Sequence, residues 1–95
     1  MQYKKINDLK NLGLKSQEML NAVGIYTYED LSKHGAIQVY LKVKQKGLKP
    51  SLNLLHALEG ALRDIHWNKL PKEIRSELLL RLDAHQDLID QQTSD

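Results

Sequence analysis

Cysteine is absent from all 95 residues, which excludes disulfides and thiolate zinc sites and fits a reducing compartment. Long apolar runs are absent too. Leu78-Leu79-Leu80 falls far short of the roughly 20 residues that cross a bilayer. The stretch Met1–Asp8 lacks the apolar core of a signal peptide. The expectation is therefore a cytoplasmic protein with no membrane partner. Proline and glycine number only two and five and fall singly between segments, so no low-complexity linker divides the chain. Nowhere do apolar and polar residues alternate with β-branched enrichment, and no strand is expected.

Groups that do chemistry are equally sparse. His56 and His66 have no His or carboxylate at i+4, and His34 and His85 are distant in sequence, so no metal site is expected. His56 reads as a partly buried imidazole bonded to a backbone group. No nucleophile or second acid accompanies Glu59, which reads as a structural hydrogen-bonding side chain. A chain of this length has no room for a cofactor domain beside a substrate domain. No cofactor is expected, and binding is favoured over catalysis.

What is present is helical punctuation. Ser16 reads as the N-cap of a first clear helix carrying Met19, Leu20 and Val23, with Gly24 at its C′ position and Ile25 as the apolar contact back onto it. Thr27 caps a short helix, Tyr28–Lys33, with Asp30 placed to reach back, and His34-Gly35 ends it. A third helix runs from about Ala36 to Gln45, with Ile37, Tyr40 and Leu41 inward and Val39 and Val43 beside them. Gly47 and Pro50 end it. Ser51 caps a fourth, in which Leu54, Leu55, Leu58, Leu62 and Ile65 recur at helical spacing. Glycine inside a helix costs roughly 1 kcal/mol relative to alanine, so Gly60 suggests close approach by another helix. Pro71 suits the first position of a fifth helix carrying Ile74, Leu78 and Leu82 beside Leu79. The expectation is a compact all-α domain of about five helices over residues 1–86, with a polar, frayed tail over 87–95.

The net charge of +2 is unevenly spread: residues 1–50 carry nine lysines and four acids, +5, and residues 51–95 carry five basic and eight acidic side chains, −3. The basic half contains the most informative string, Leu9-Lys10-Asn11-Leu12-Gly13-Leu14-Lys15-Ser16. Leucines at 9, 12 and 14 can anchor a tight turn that leads into a helix N-terminus. Unbonded N–H groups and the positive end of the helix dipole there make an anion site, and Lys15 adds a charge. The same residues could equally serve only to join two packed helices. The turn resembles the helix-hairpin-helix motif of DNA-repair proteins, with Leu12 and Gly13 at the hydrophobic and second glycine positions. Asn11 stands in place of the first glycine, a residue that tolerates left-handed backbone.

The wider pattern is more specific. Leu9–Ser16, Ala22-Val23-Gly24-Ile25-Tyr26-Thr27, Leu31, Gly35-Ala36, Tyr40-Leu41, Leu54–Ala61, and His66-Trp67 before Leu70-Pro71 resemble, in order and spacing, the C-terminal domain of TfoX/Sxy proteins. Gly24, Leu58, Glu59, Gly60 and Trp67 are the signature positions. The resemblance implies a bacterial regulator of competence, the uptake of external DNA. Such regulators act as transcriptional co-activators alongside the cyclic-AMP receptor protein, and in full-length members this domain follows a separate N-terminal one.

Two features remain open on sequence alone. Trp67 can plug the gap between the fourth and fifth helices, the favoured reading, or stack on a base or fill a partner's pocket. Lys42, Lys46 and Lys49 fall near one another on a helical projection, with Lys44 between them. They form either a solvated face or a second phosphate contact joining Lys15. The candidate backbone-contact set is Asn11, Leu12, Gly13, Leu14, Lys15, Ser16, Lys42, Lys46 and Lys49. No helix rich in Arg, Asn and Gln is present to read base edges. The partners expected are duplex DNA backbone and a transcription regulator such as the cyclic-AMP receptor protein. The rival is a pure protein–protein module, homodimer included.

Overall fold

The computed structural model describes residues 6–93. Among them are five α-helices and no strand: α1 Leu14–Asn21, α2 Tyr28–His34, α3 Ala36–Gln45, α4 Leu52–Arg63 and α5 Lys72–Thr93, with 3-10 turns at Ile6–Asp8 and Trp67–Lys69. The all-α expectation holds. None of the described helices is long and apolar enough to cross a membrane.

Local chemistry sets most boundaries. Thr27 and Asp30 close a reciprocal capping box on α2: the Asp30 N–H donates to Thr27 Oγ1 at 3.2 Å and the Thr27 N–H to Asp30 Oδ2 at 3.3 Å. α1, α3 and α4 all end in one motif, in which a left-handed residue turns the chain and the next N–H bonds a carbonyl five residues back. Those bonds are Ile25 N–H to Leu20 O at 2.9 Å, Leu48 N–H to Val43 O at 3.3 Å, and Ile65 N–H to Gly60 O at 2.9 Å. The left-handed residue is Gly24, Gly47 and Asp64 in turn. Ile25 is thereby folded into the core.

α3 is the hub and packs against the other four helices. Ala36, Ile37, Val39, Tyr40, Leu41 and Val43 are all buried, as a helix covered on several sides requires. Leu55 and Leu58 of α4 are fully buried against it, and α5 attaches through Leu78 and Leu82. Two hydroxyls tie elements together: Tyr28 donates to Leu62 O at 3.2 Å, and Tyr40 to Pro50 O at 3.4 Å.

Several boundaries differ from the sequence expectation. α1 starts at Leu14 with Gly13 as N-cap, so Ser16 lies in the first turn and is not the cap. Leu9 and Leu12 do anchor the turn, but Leu14, the first helical residue, is 70% exposed. Ser51 occupies the N-cap position of α4 yet its side chain makes no capping bond. Pro71 stands just before α5, its carbonyl accepting from the Ile74 and Arg75 N–H groups at 3.0 and 3.1 Å. Leu79 faces outward.

Candidate functional site

Asn11 organises the region around the turn. Its backbone is left-handed, φ 73°, and its carboxamide reaches across the molecule. Nδ2 donates to Ile65 O at 3.0 Å, with Ala57 O a longer contact at 3.5 Å, and Oδ1 accepts from the Trp67 N–H at 3.0 Å. The turn is thereby fastened to the connector between α4 and α5. This bracket explains Gly60. A Cβ at that position would lie 2.6 Å from Asn11 Nδ2 and 2.8 Å from Ile65 O. The close neighbour is the Asn11 carboxamide and the connector backbone, and not another helix.

Beside the bracket lies a cleft of about 340 Å³. Lys15 and Ser16 enter it from the first turn of α1, Lys49 and Ser51 from the segment leading into α4, and Asn53 from the first turn of α4. Met19, Leu54 and Ala57 supply apolar surface, and Asn11 and Trp67 complete the wall. No carboxylate lines it. The N-termini of two helices therefore meet at one cavity. Neither has a side-chain capping bond or an acid in its first turn, whereas α2 has both. The α1 N–H groups of Leu14, Lys15 and Ser16 precede the first intrahelical bond, Gln17 N–H to Gly13 O. Together with two lysines they give the cleft a positive potential suited to an anion.

The predicted contact residues separate on this geometry. Asn11, Lys15, Ser16 and Lys49 come together at the cleft, while Lys42 of α3 and Lys46 just after it are not on its wall. Leu12 is in the core, and Gly13 and Leu14 are exposed but not on the cleft wall. Asn53 also lines the cleft, and as a polar residue near a helix start it carries no signal of its own in the sequence. Lys49 holds a left-handed backbone, φ 54°, immediately before Pro50.

Trp67 is half-buried and belongs neither to the core nor to the apolar residues packed on it. The turn that carries it packs against α4, and Arg75 of α5 contacts it. The Arg75 guanidinium lies 5.9 Å from its ring centre, and Arg75 Nη2 donates to Trp67 O at 3.1 Å. Glu59 does make a structural bond, to Arg63 Nε at 2.6 Å on its own helix. His56 departs from expectation: Nε2 is buried with no hydrogen-bond partner. Burial, and then the nearby Arg75 charge, push its pKa below the ordinary imidazole value. Among the described residues no cluster of His, Asp or Glu is arranged to hold a metal.

A family model described as the TfoX C-terminal domain matches residues 2–82. Protein Sxy of Escherichia coli (strain K12) is 32% identical over 74 residues, covering 78% of this chain and 35% of Sxy. The chain thus spans about a third of the length of that curated relative. Two crystal structures from Listeria monocytogenes share the fold. A triclinic form of an uncharacterized protein superposes with a TM-score of 0.79 at 26% identity, covering 86% of this chain and 93% of that one. A tetragonal form of a protein of unknown function gives 0.75 at 29% identity, covering 86% and 98%.

Proposed function

Because the chain belongs to the TfoX C-terminal domain family, we propose that it is a non-enzymatic regulatory module of competence control that grips DNA through its phosphate backbone. Protein contacts, with a transcription regulator such as the cyclic-AMP receptor protein among them, supply the selectivity. The observation that carries this reading is the carboxylate-free cleft where Lys15, Lys49 and two uncapped helix N-termini converge. A helix N-terminus favours negative charge, so folding alone gives no reason to place Lys15 in the first turn of α1. An anionic partner does.

The test is a titration of duplex DNA into the chain at low salt, followed by gel mobility and by shifts of the backbone amides. With two to four phosphate contacts, log affinity against log salt has a slope of about −2 to −4. Amides of Leu14–Ser16 and Ser51–Asn53 shift first, and Lys15→Glu abolishes the retardation. Salt-independent binding, or retardation unchanged in Lys15→Glu, removes this reading.

A protein–protein or self-association module is the second reading, favoured by the exposure of Leu80 at 71% and of Leu79 beside it on α5. It predicts no duplex shift at low salt and a stable dimer or heterocomplex on a sizing column.

A further inference from the structure

The cleft contains more than a duplex backbone can use. Phosphates on a duplex lie on a convex outer surface and the bases are stacked inside. A duplex can reach Lys15 and Lys49 at the rim but leaves the apolar floor of Met19, Leu54 and Ala57 empty. That floor, the Trp67 wall and the amide and hydroxyl groups of Asn53 and Ser51 suit a planar heteroaromatic ring carrying a phosphate. The volume, about 340 Å³, lies at the lower end of the roughly 300–1,000 Å³ typical of small-ligand pockets, room for one nucleotide. A basic rim that tracks phosphates beside an aromatic side chain that stacks a base is how proteins hold single strands without reading sequence.

We infer that the preferred ligand of the cleft is an unpaired nucleotide of single-stranded DNA. Its flanking phosphates lie on Lys15 and Lys49, and its base is seated on the floor against Trp67. This rests on the backbone-contact reading and sharpens it, since it names the form of DNA. Single-stranded DNA is bound with little sequence preference, because every base has a π-face.

Trp67 is the only tryptophan in the chain, so tryptophan fluorescence reports the surroundings of this one cleft residue. The full chain is titrated at low salt with short oligo(dT), with a duplex of equal length and with heparin. The expected result is saturable quenching by oligo(dT), little quenching by duplex even where the duplex is retarded on a gel, and none by heparin. Anisotropy of labelled oligo(dT) then reads the variants. Trp67→Leu, which keeps apolar bulk without a π-face, weakens binding by about 5- to 150-fold, the equivalent of one base–aromatic stack, while Trp67→Phe retains most of it. Circular dichroism checks that each variant is folded. If Trp67→Leu does not fold, Lys49→Glu in the otherwise native chain decides the matter by abolishing the oligo(dT) quench.

Equal quenching by heparin or duplex overturns the inference, as does tight oligo(dT) binding that leaves Trp67 unchanged or survives Lys49→Glu. Duplex retardation without oligo(dT) quenching removes the inference and leaves the backbone reading intact. Quenching without duplex retardation does the reverse.

Discussion

Among the described residues, Asn11, Lys49 and Asp64 are the non-glycine positions with positive φ, at 73°, 54° and 58°. Each holds it for a different reason. At Asn11 the side chain is the point: its carboxamide satisfies the Ile65 carbonyl and the Trp67 N–H at once. Asn11→Gly would relieve the backbone and match the glycine of a helix-hairpin-helix turn, yet it should lower unfolding free energy by about 1–3 kcal/mol through those unpaired groups. A neutral or stabilising result in urea denaturation would show that φ alone selected the residue. Asp64 is exposed and ends α4 in a position glycine fills more readily, so Asp64→Gly should stabilise by about 0.5–1 kcal/mol. Lys49 carries the same backbone strain, made worse by the following Pro50, and its side chain is at the cleft. Lys49→Gly is expected to stabilise by a similar amount, about 0.5–1 kcal/mol, while weakening DNA binding. Strain kept at a site where it serves a ligand behaves in this way.

At the scale of elements, the seam joining the N-terminal turn, α4 and α5 rests on contacts that leave no local mark in the sequence. Gly60→Ala should destabilise by about 1–3 kcal/mol, since the neighbour that must give way includes the Ile65 carbonyl. The same seam contains His56, with Arg75 of α5 close enough to disfavour its charge. Its folded pKa is below the unfolded value of about 6.5, so in that window the unfolded chain binds more protons. Stability is fully present above about pH 6.5 and falls as pH drops toward the folded pKa. Thermal melts from pH 7 to 5 should show this decline, flattened in His56→Gln. The Asp30 carboxylate, held below its ordinary pKa by the Tyr26 N–H foremost, acts only at more acid pH. α2 and α3 were legible in the sequence because Thr27 with Asp30, and Gly47 with Pro50, are local signals whose partners sit within a turn. The α1 start was misplaced because Ser16 looks like a cap whether or not its hydroxyl finds an N–H. Asn11 was legible as a left-handed residue, but its bonds to Ile65 and Trp67, and the neighbours that require Gly60, were not, since most of those partners are backbone atoms of residues whose side chains carry no trace of the contact. The cleft was half legible: Lys15 and Lys49 stood out as charges, but only the fold separates them from Lys42 and Lys46.

Across the whole molecule, the cleft draws on both halves of the chain and on no acidic side chain. The cleft takes Lys15 and Lys49 from the basic half and Ser51, Asn53 and Trp67 from the acidic half. The core built around α3 and α4 meets the cleft at Leu54 and Ala57, whereas Lys15 and Lys49 form an exposed layer outside it. Stability set by fully buried positions and binding set by these lysines should therefore be separable by mutation. Leu58 is fully buried, and Leu58→Ala is expected to cost about 2–5 kcal/mol, a large share of the 5–15 kcal/mol that holds a typical domain. Lys15→Glu tests the other layer with a sign that a purely structural lysine would not give. An acid in the first turn of α1 interacts favourably with the helix dipole, so this charge reversal should leave stability unchanged or raise it by about 0.3–1 kcal/mol. It should also abolish DNA retardation. Paired urea denaturation and binding measurements on the one variant decide the point. Loss of stability together with binding would make Lys15 part of the scaffold. Stability retained while binding disappears identifies a cation held at an unfavourable position in the fold because an anionic partner compensates it there.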